Sequence, residues 1–151
     1  AIAFAINAIG MVSCTALSGK LAKRYSLEKI IALGLAVNVT AVAGIGLVTV
    51  SGADIRLMAI CFFFIVASLG FIFGNSTAVA LSAVDRAAVG TASAMIGMSQ
   101  FALGGIATAT AGLSGENSTV ALAIVSAVSA ACALSAFLVA LKAPVKVHRI
   151  G

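Results

Sequence analysis

Side chains able to do covalent or metal chemistry are few in this sequence and stand far apart. The three cysteines, Cys14, Cys61 and Cys132, occur singly, each deep in an apolar run. A disulfide framework, a CxxC redox pair or a zinc site needs close or paired thiols, so these three read as small packing residues. The one histidine, His148, lies in a basic tail with no carboxylate beside it, and no catalytic or metal role is expected of it. No Asp, Glu, Lys or His stands inside an apolar run to activate a serine, which leaves nucleophile–base catalysis without its base. Gly19-Lys20 is followed by Leu21, so the Gly-Lys-Ser/Thr of a phosphate-binding loop is missing. The sequence thus predicts neither an enzyme nor a resident metal or cofactor. The chemistry left is neutral hydrogen bonding by carboxamides and hydroxyls within the apolar runs, Asn7, Ser68, Asn75 and Gln100 among them.

The medium around those groups follows from composition. The 151 residues are 62% hydrophobic and 9% charged, against about 45–50% and about 25% in soluble domains. A fold of this size leaves much of its surface exposed, so water cannot be the solvent for so apolar a chain. A lipid bilayer is the expected partner. The formal net charge of +5 then describes basic loops at a membrane surface. A nucleic-acid partner is not expected, since no aromatic residues interleave with the basic ones.

Five runs contain no Asp, Glu, Lys, Arg or His: Ala1 to Gly19, Ile30 to Ala53, Leu57 to Val84, Ala87 to Gly115 and Asn117 to Leu141. Each approaches or exceeds the roughly 20 residues that cross a hydrocarbon core as a helix. Backbone groups in lipid must be satisfied internally, and no ten-residue alternation of the barrel type is present, so the predicted fold is an all-α bundle of five transmembrane helices. The only proline, Pro144, follows the last run. If every run crosses, Lys20, Lys23, Arg24, Lys29, Arg86, Lys142, Lys146 and Arg149 share one face, and Arg56 alone lies on the other, which also carries Glu116. That bias predicts a cytoplasmic basic face, an external N-terminus and a cytoplasmic tail over 142–151. The chain opens at Ala1 without a methionine or a basic leader, and its first span is short. It is expected to have lost an N-terminal part.

Polar residues recur at helical steps. In the fourth run Ser93, Gly97, Gln100, Gly104 and Thr108 fall on one stripe bordered by Met98 and Phe101. Two readings stand. The stripe is a cavity wall, with Gln100 supplying a hydrogen bond and Met98 and Phe101 adaptable apolar contact. Or it is a packing face, with Gly90, Ala94, Gly97, Gly104, Thr108 and Gly112 forming small-xxx-small steps. In the third run Cys61, Ser68 and Asn75 lie near one face, flanked by Phe64 and Phe71, and the first presents Asn7, Cys14 and Ser18. Asn7 and Asn75 must either face a wet cavity or clamp helices together.

The order of these features resembles the C-terminal half of a major facilitator superfamily transporter. It is most similar to the drug:proton antiporter branch associated with bicyclomycin and chloramphenicol resistance. Phe4 to Gly10, "FAINAIG", is similar to a "FALNALG"-like segment in that branch's eighth helix. Gly74 to Leu81, "GNSTAVAL", is similar to the "PNATALAL"-like end of the tenth, with Gly74 in place of the proline. Val89 to Phe101, "VGTASAMIGMSQF", is similar to the "AGTASALLGFLQF" that opens the eleventh. In the loop after the first run, Gly19 and Arg24 fit a degenerate "GxxxD(R/K)xG(R/K)" signature, while Lys23 replaces its acid and Ser26 its second glycine.

The resemblance implies that the runs are helices eight to twelve of the superfamily fold. It implies that eight, ten and eleven surround a substrate cavity, which favours Asn7, Ser68, Asn75, Met98, Gln100 and Phe101 as cavity residues over Asn38 or Ser129. It further implies proton-coupled efflux of small drug-like molecules across a bacterial inner membrane. The proton gradient would drive it, and the missing N-terminal half would complete it and carry the titrating acid. Alternatives are export of sugars or other metabolites by the same helices, and a non-transporting membrane scaffold or gene remnant.

Overall fold

The computed structural model describes residues 2–52, 54–112 and 118–142. Ala1, Ala53, the loop with Glu116, and the tail beyond Lys142 with Pro144, Lys146, His148 and Arg149 lie outside the described residues. The described chain is all-α: α1 (Ile2–Leu21), α2 (Leu27–Ser51), α3 (Ile55–Ser82), a 3-10 turn (Arg86–Ala88), α4 (Val89–Gly112) and α5 (Ser118–Lys142), with no strand among these residues. All five α-helices are long and apolar enough to cross a membrane. Apolar side chains surround each of them rather than forming one stripe, as expected of helices solvated by lipid.

Helix ends differ a little from the uncharged runs, because a charge does not stop a helix as a turn does. The first helix continues through Lys20 to Leu21, and α2 starts at Leu27, ahead of Glu28 and Lys29. Between them the chain reverses through a short turn in which the Arg24 and Tyr25 amides donate to the Leu21 carbonyl, both at 2.9 Å. At the other end of α2, Gly52 adopts the left-handed conformation (φ 62°), and its amide donates back to the Val48 carbonyl. Only glycine takes that conformation without steric cost. Asp54 then caps α3, its carboxylate accepting from the Arg56 amide at 3.0 Å.

Helix α3 is the hub. It packs against α1 on one side and α2 on the other; α5 lies against α2, and α4 touches α5 and, more sparsely, α3. Ser18 of α1 meets Asn75 of α3, and Cys14, Met11 and Thr15 meet Gly70, so α1 and α3 run parallel. Gly34, Asn38 and Gly44 of α2 meet Phe71, Ser68 and Cys61 in descending order, so α2 is antiparallel to both. Buried apolar residues concentrate on α2, with Ile30, Ile31, Leu35, Ala41, Val42 and Ile45 enclosed against Ala67 and Phe71 of α3 and the α5 layer of Ala121 and Ala130.

Lipid tails are as apolar as leucine, so this packing draws on close contact more than on solvent exclusion. Glycines provide that contact. A Cβ on Gly70 would lie 2.5 Å from the Met11 carbonyl oxygen and 2.8 Å from the Thr15 nitrogen, and one on Gly34 would lie 2.8 Å from the Phe71 Cβ.

Candidate functional site: bonded and unbonded carboxamides

Asparagine and glutamine bring four hydrogen-bonding sites into a medium that offers none, so each carboxamide must be accounted for. The structure divides those on the described residues into two groups. Asn75 of α3 is buried and donates to Ser18 Oγ of α1 at 2.7 Å and to the Phe71 carbonyl at 2.6 Å. Asn38 of α2 is buried and donates to Ser68 Oγ of α3 at 2.9 Å, while the Ser68 hydroxyl donates to the Ile65 carbonyl at 2.6 Å. Each side of the hub helix is thus pinned by one carboxamide–hydroxyl pair. Among the described residues no buried side-chain nitrogen or oxygen lacks a partner.

Asn7 and Gln100 form the other group. Asn7 is half-buried near the start of α1, on the line of Gly10, Cys14 and Ser18 that faces α3, and its amide bonds to no described residue. Gln100 is exposed at the middle of α4, likewise with no hydrogen bond among the described residues. Hydroxyls on exposed helix faces escape this problem by bonding backward along their own helix. Thr108 donates to the Gly104 carbonyl at 2.8 Å, Thr40 to Ala36 at 2.8 Å and Ser135 to Ala131 at 2.7 Å. A carboxamide cannot be satisfied that way, because it carries two donors and two acceptor lone pairs.

Helix α4 is largely open. No residue in its membrane-spanning stretch is buried, and Met98 and Phe101 are 70% and 86% exposed. Ala94 is exposed too, and a Cβ on Gly90, Gly97, Gly104 or Gly112 would meet no described atom within 4 Å. The small-residue steps that the sequence offered for packing therefore carry no packing within the described chain, while Gly34 and Gly70, which no spacing rule singled out, do. The predicted cavity residues fall in separate places. Ser68 and Asn75 are engaged at the α2–α3 and α1–α3 interfaces, Asn7 lies on α1, and Gln100, Met98 and Phe101 are each exposed on α4 but point to different sides of it. Asn38, set behind these by the sequence reading, is bonded to one of them.

At the loop end, Gly19 is an exposed residue within α1, and Lys23 and Arg24 are exposed in the turn that follows, with no ion-pair partner among the described residues. No cluster of His, Cys, Asp or Glu able to hold a metal ion occurs among the described residues. Cys14 and Cys61 are half-buried and Cys132 is exposed, all as free thiols. Comparison with family models, with curated proteins and with solved structures returns no match to this chain.

Proposed function

We propose that the chain is the C-terminal part of a secondary transporter that exports small, amphipathic compounds in exchange for protons, by rocking of two helix bundles around a site near the midplane. One observation carries the reading: the carboxamide of Gln100 stands at mid-helix on a face of α4 that no described part of the chain covers. In hydrocarbon such a group is costly, and it is accommodated where water, a polar cargo or a second bundle meets it. Met98 and Phe101, exposed on the same stretch of helix, offer polarisable and aromatic surface of the kind that accepts varied ligands. The similarity of Val89 to Phe101 to the opening of the eleventh helix in drug:proton antiporters supports the same assignment.

In this reading Asn7 adds a second polar contact to the cavity, and Ser68 and Asn75 hold the wall rather than touch cargo. The coupling acid belongs to the other half of the transporter, because no span of this chain contains an ionisable side chain away from its ends. The membrane is a bacterial inner membrane, and the end bearing Lys20, Lys23, Arg24 and Lys29 is cytoplasmic.

The test is expression of the full transporter in an efflux-deficient cell. Resistance to several unrelated drugs should rise, collapse of the proton gradient should abolish the rise, and Gln100→Ala should change the substrate profile while leaving the protein folded. Unchanged resistance across a broad panel would sink the drug reading. Export intact for every substrate in Gln100→Ala, with lowered stability, would move Gln100 to a packing role.

A further inference from the structure

An open groove of about 510 Å³ lies along α3 between α1 and α2, and its lining is almost wholly apolar. One wall is a straight stripe on α1: Ile6, Ile9, Ser13 and Leu17 follow one another at three- and four-residue steps. Phe64 forms part of the floor, and Val37 closes the α2 side. Ile6, Ile9, Leu17 and Phe64 are all about half exposed or more, so the groove opens outward rather than into the bundle.

Two features of this groove point to the same occupant. The first is length. From Ile6 to Leu17 the helix rises about 16 Å, close to half of the roughly 30 Å hydrocarbon core and so to the span of one leaflet. The second is charge. Because α1 continues to Leu21, the next residue on the same stripe after Leu17 is Lys20, exposed and without an ion-pair partner among the described residues. Lys23 and Arg24 follow in the turn at the same end. A one-leaflet apolar slot that ends at an unpaired lysine matches a chain of hydrocarbon terminated by a negative charge.

We infer that this groove binds an anionic glycerophospholipid, with one acyl chain lying between Ile6 and Leu17 and the headgroup phosphate held by Lys20. The site depends on the chain spanning a bilayer and not on transport, so its failure would leave the transport reading where it stands. Lys20 acts as a point charge at the membrane surface, an interaction worth roughly a fivefold preference for an anionic over a zwitterionic lipid and screened by salt.

The absence of tryptophan from the chain makes the test direct. Phe64→Trp places a single fluorophore in the groove, and Phe137→Trp places one on α5, five residues before Lys142, as a control. Each full-length variant is reconstituted in phosphatidylcholine vesicles containing the same minor fraction of either phosphatidylglycerol or phosphatidylcholine brominated in its acyl chains. Quenching in Phe64→Trp should be severalfold more effective with the brominated anionic lipid, and the two lipids should quench alike in Phe137→Trp. The excess should vanish on adding Lys20→Gln, survive Lys20→Arg, and shrink at high salt. Equal quenching by the two lipids in Phe64→Trp overturns the proposal. So does quenching by neither, which would mean that protein covers the groove, and so does an excess that persists in Lys20→Gln.

Discussion

Replacing Gly70 by alanine adds one methyl group at a close backbone contact between α1 and α3. The added carbon would stand 2.5 Å from the Met11 carbonyl oxygen, 2.8 Å from the Thr15 nitrogen and 2.9 Å from the Cys14 Cβ, where ordinary contact begins at 3.4 Å. Two of those three atoms are backbone, so no rotamer change relieves the clash and the helices must separate by about 1 Å. Overpacking of this kind costs about 1–3 kcal/mol. The same displacement stretches the 2.7 Å bond from Asn75 to Ser18 and forfeits much of the roughly 0.6 kcal/mol typical of such bonds between membrane helices. Gly97→Ala is the matched control, because its Cβ meets nothing and alanine is favoured in a helix by about 1 kcal/mol. That gain is common to both sites, since Gly70 also lies within a helix, so the two substitutions should differ by the overpacking cost of about 1–3 kcal/mol. The assay is alkylation of Cys14, which lies beside Gly70, as sodium dodecyl sulfate displaces a mild detergent in a Cys61→Ala, Cys132→Ala background. Gly70→Ala should expose the thiol at a clearly lower sulfate fraction than Gly97→Ala. Transitions that coincide within about 0.5 kcal/mol, the spread of neutral surface changes, would refute the packing assigned to this interface.

Two further outcomes follow from the same geometry. A double-mutant cycle on Ser18→Ala and Asn75→Ala should give a favourable coupling of about 0.6 kcal/mol and no more than about 1.7; strictly additive losses would show that the bond contributes nothing. In a cysteine-free background, Ser26→Cys and Ala87→Cys should react with an impermeant maleimide from one side of the membrane and Ser51→Cys from the other, since α1 and α3 run parallel and α2 opposes them. Labelling of Ser26→Cys and Ala87→Cys from opposite sides would contradict that arrangement.

Helix number, and the reversals among α1, α2 and α3, were legible in the sequence because charge is so scarce that a cluster marks a chain reversal. Boundaries were less so. Lys20, Glu28 and Lys29 lie inside helices, since a lysine or glutamate at a helix end keeps its backbone bonds while its side chain reaches the interface. Packing partners were not legible from spacing. The regular glycine steps of α4 look like an association motif, yet they stand open, whereas Gly34 and Gly70 work as single close-approach points whose partners lie on other helices. Nothing local to Asn38 or Ser68 announces that they pair across 30 residues. The useful signal was chemical: a carboxamide in an apolar run had to find partners or face something polar, and the structure shows two that found them and two that did not.

That division also bears on which parts of the chain can move. Shifting α1 or α2 against α3 breaks a buried carboxamide–hydroxyl bond and opens a glycine contact, so each shift leaves a polar group unsatisfied in lipid. Helix α4 is joined less closely to α3. It follows α3 through a 3-10 turn at Arg86–Ala88 and makes sparse contact with it, and Thr108 bonds back along α4 itself. Helices α1, α2 and α3 thus form one unit joined by buried carboxamide–hydroxyl bonds and glycine contacts, and Gln100 stands on a helix outside it.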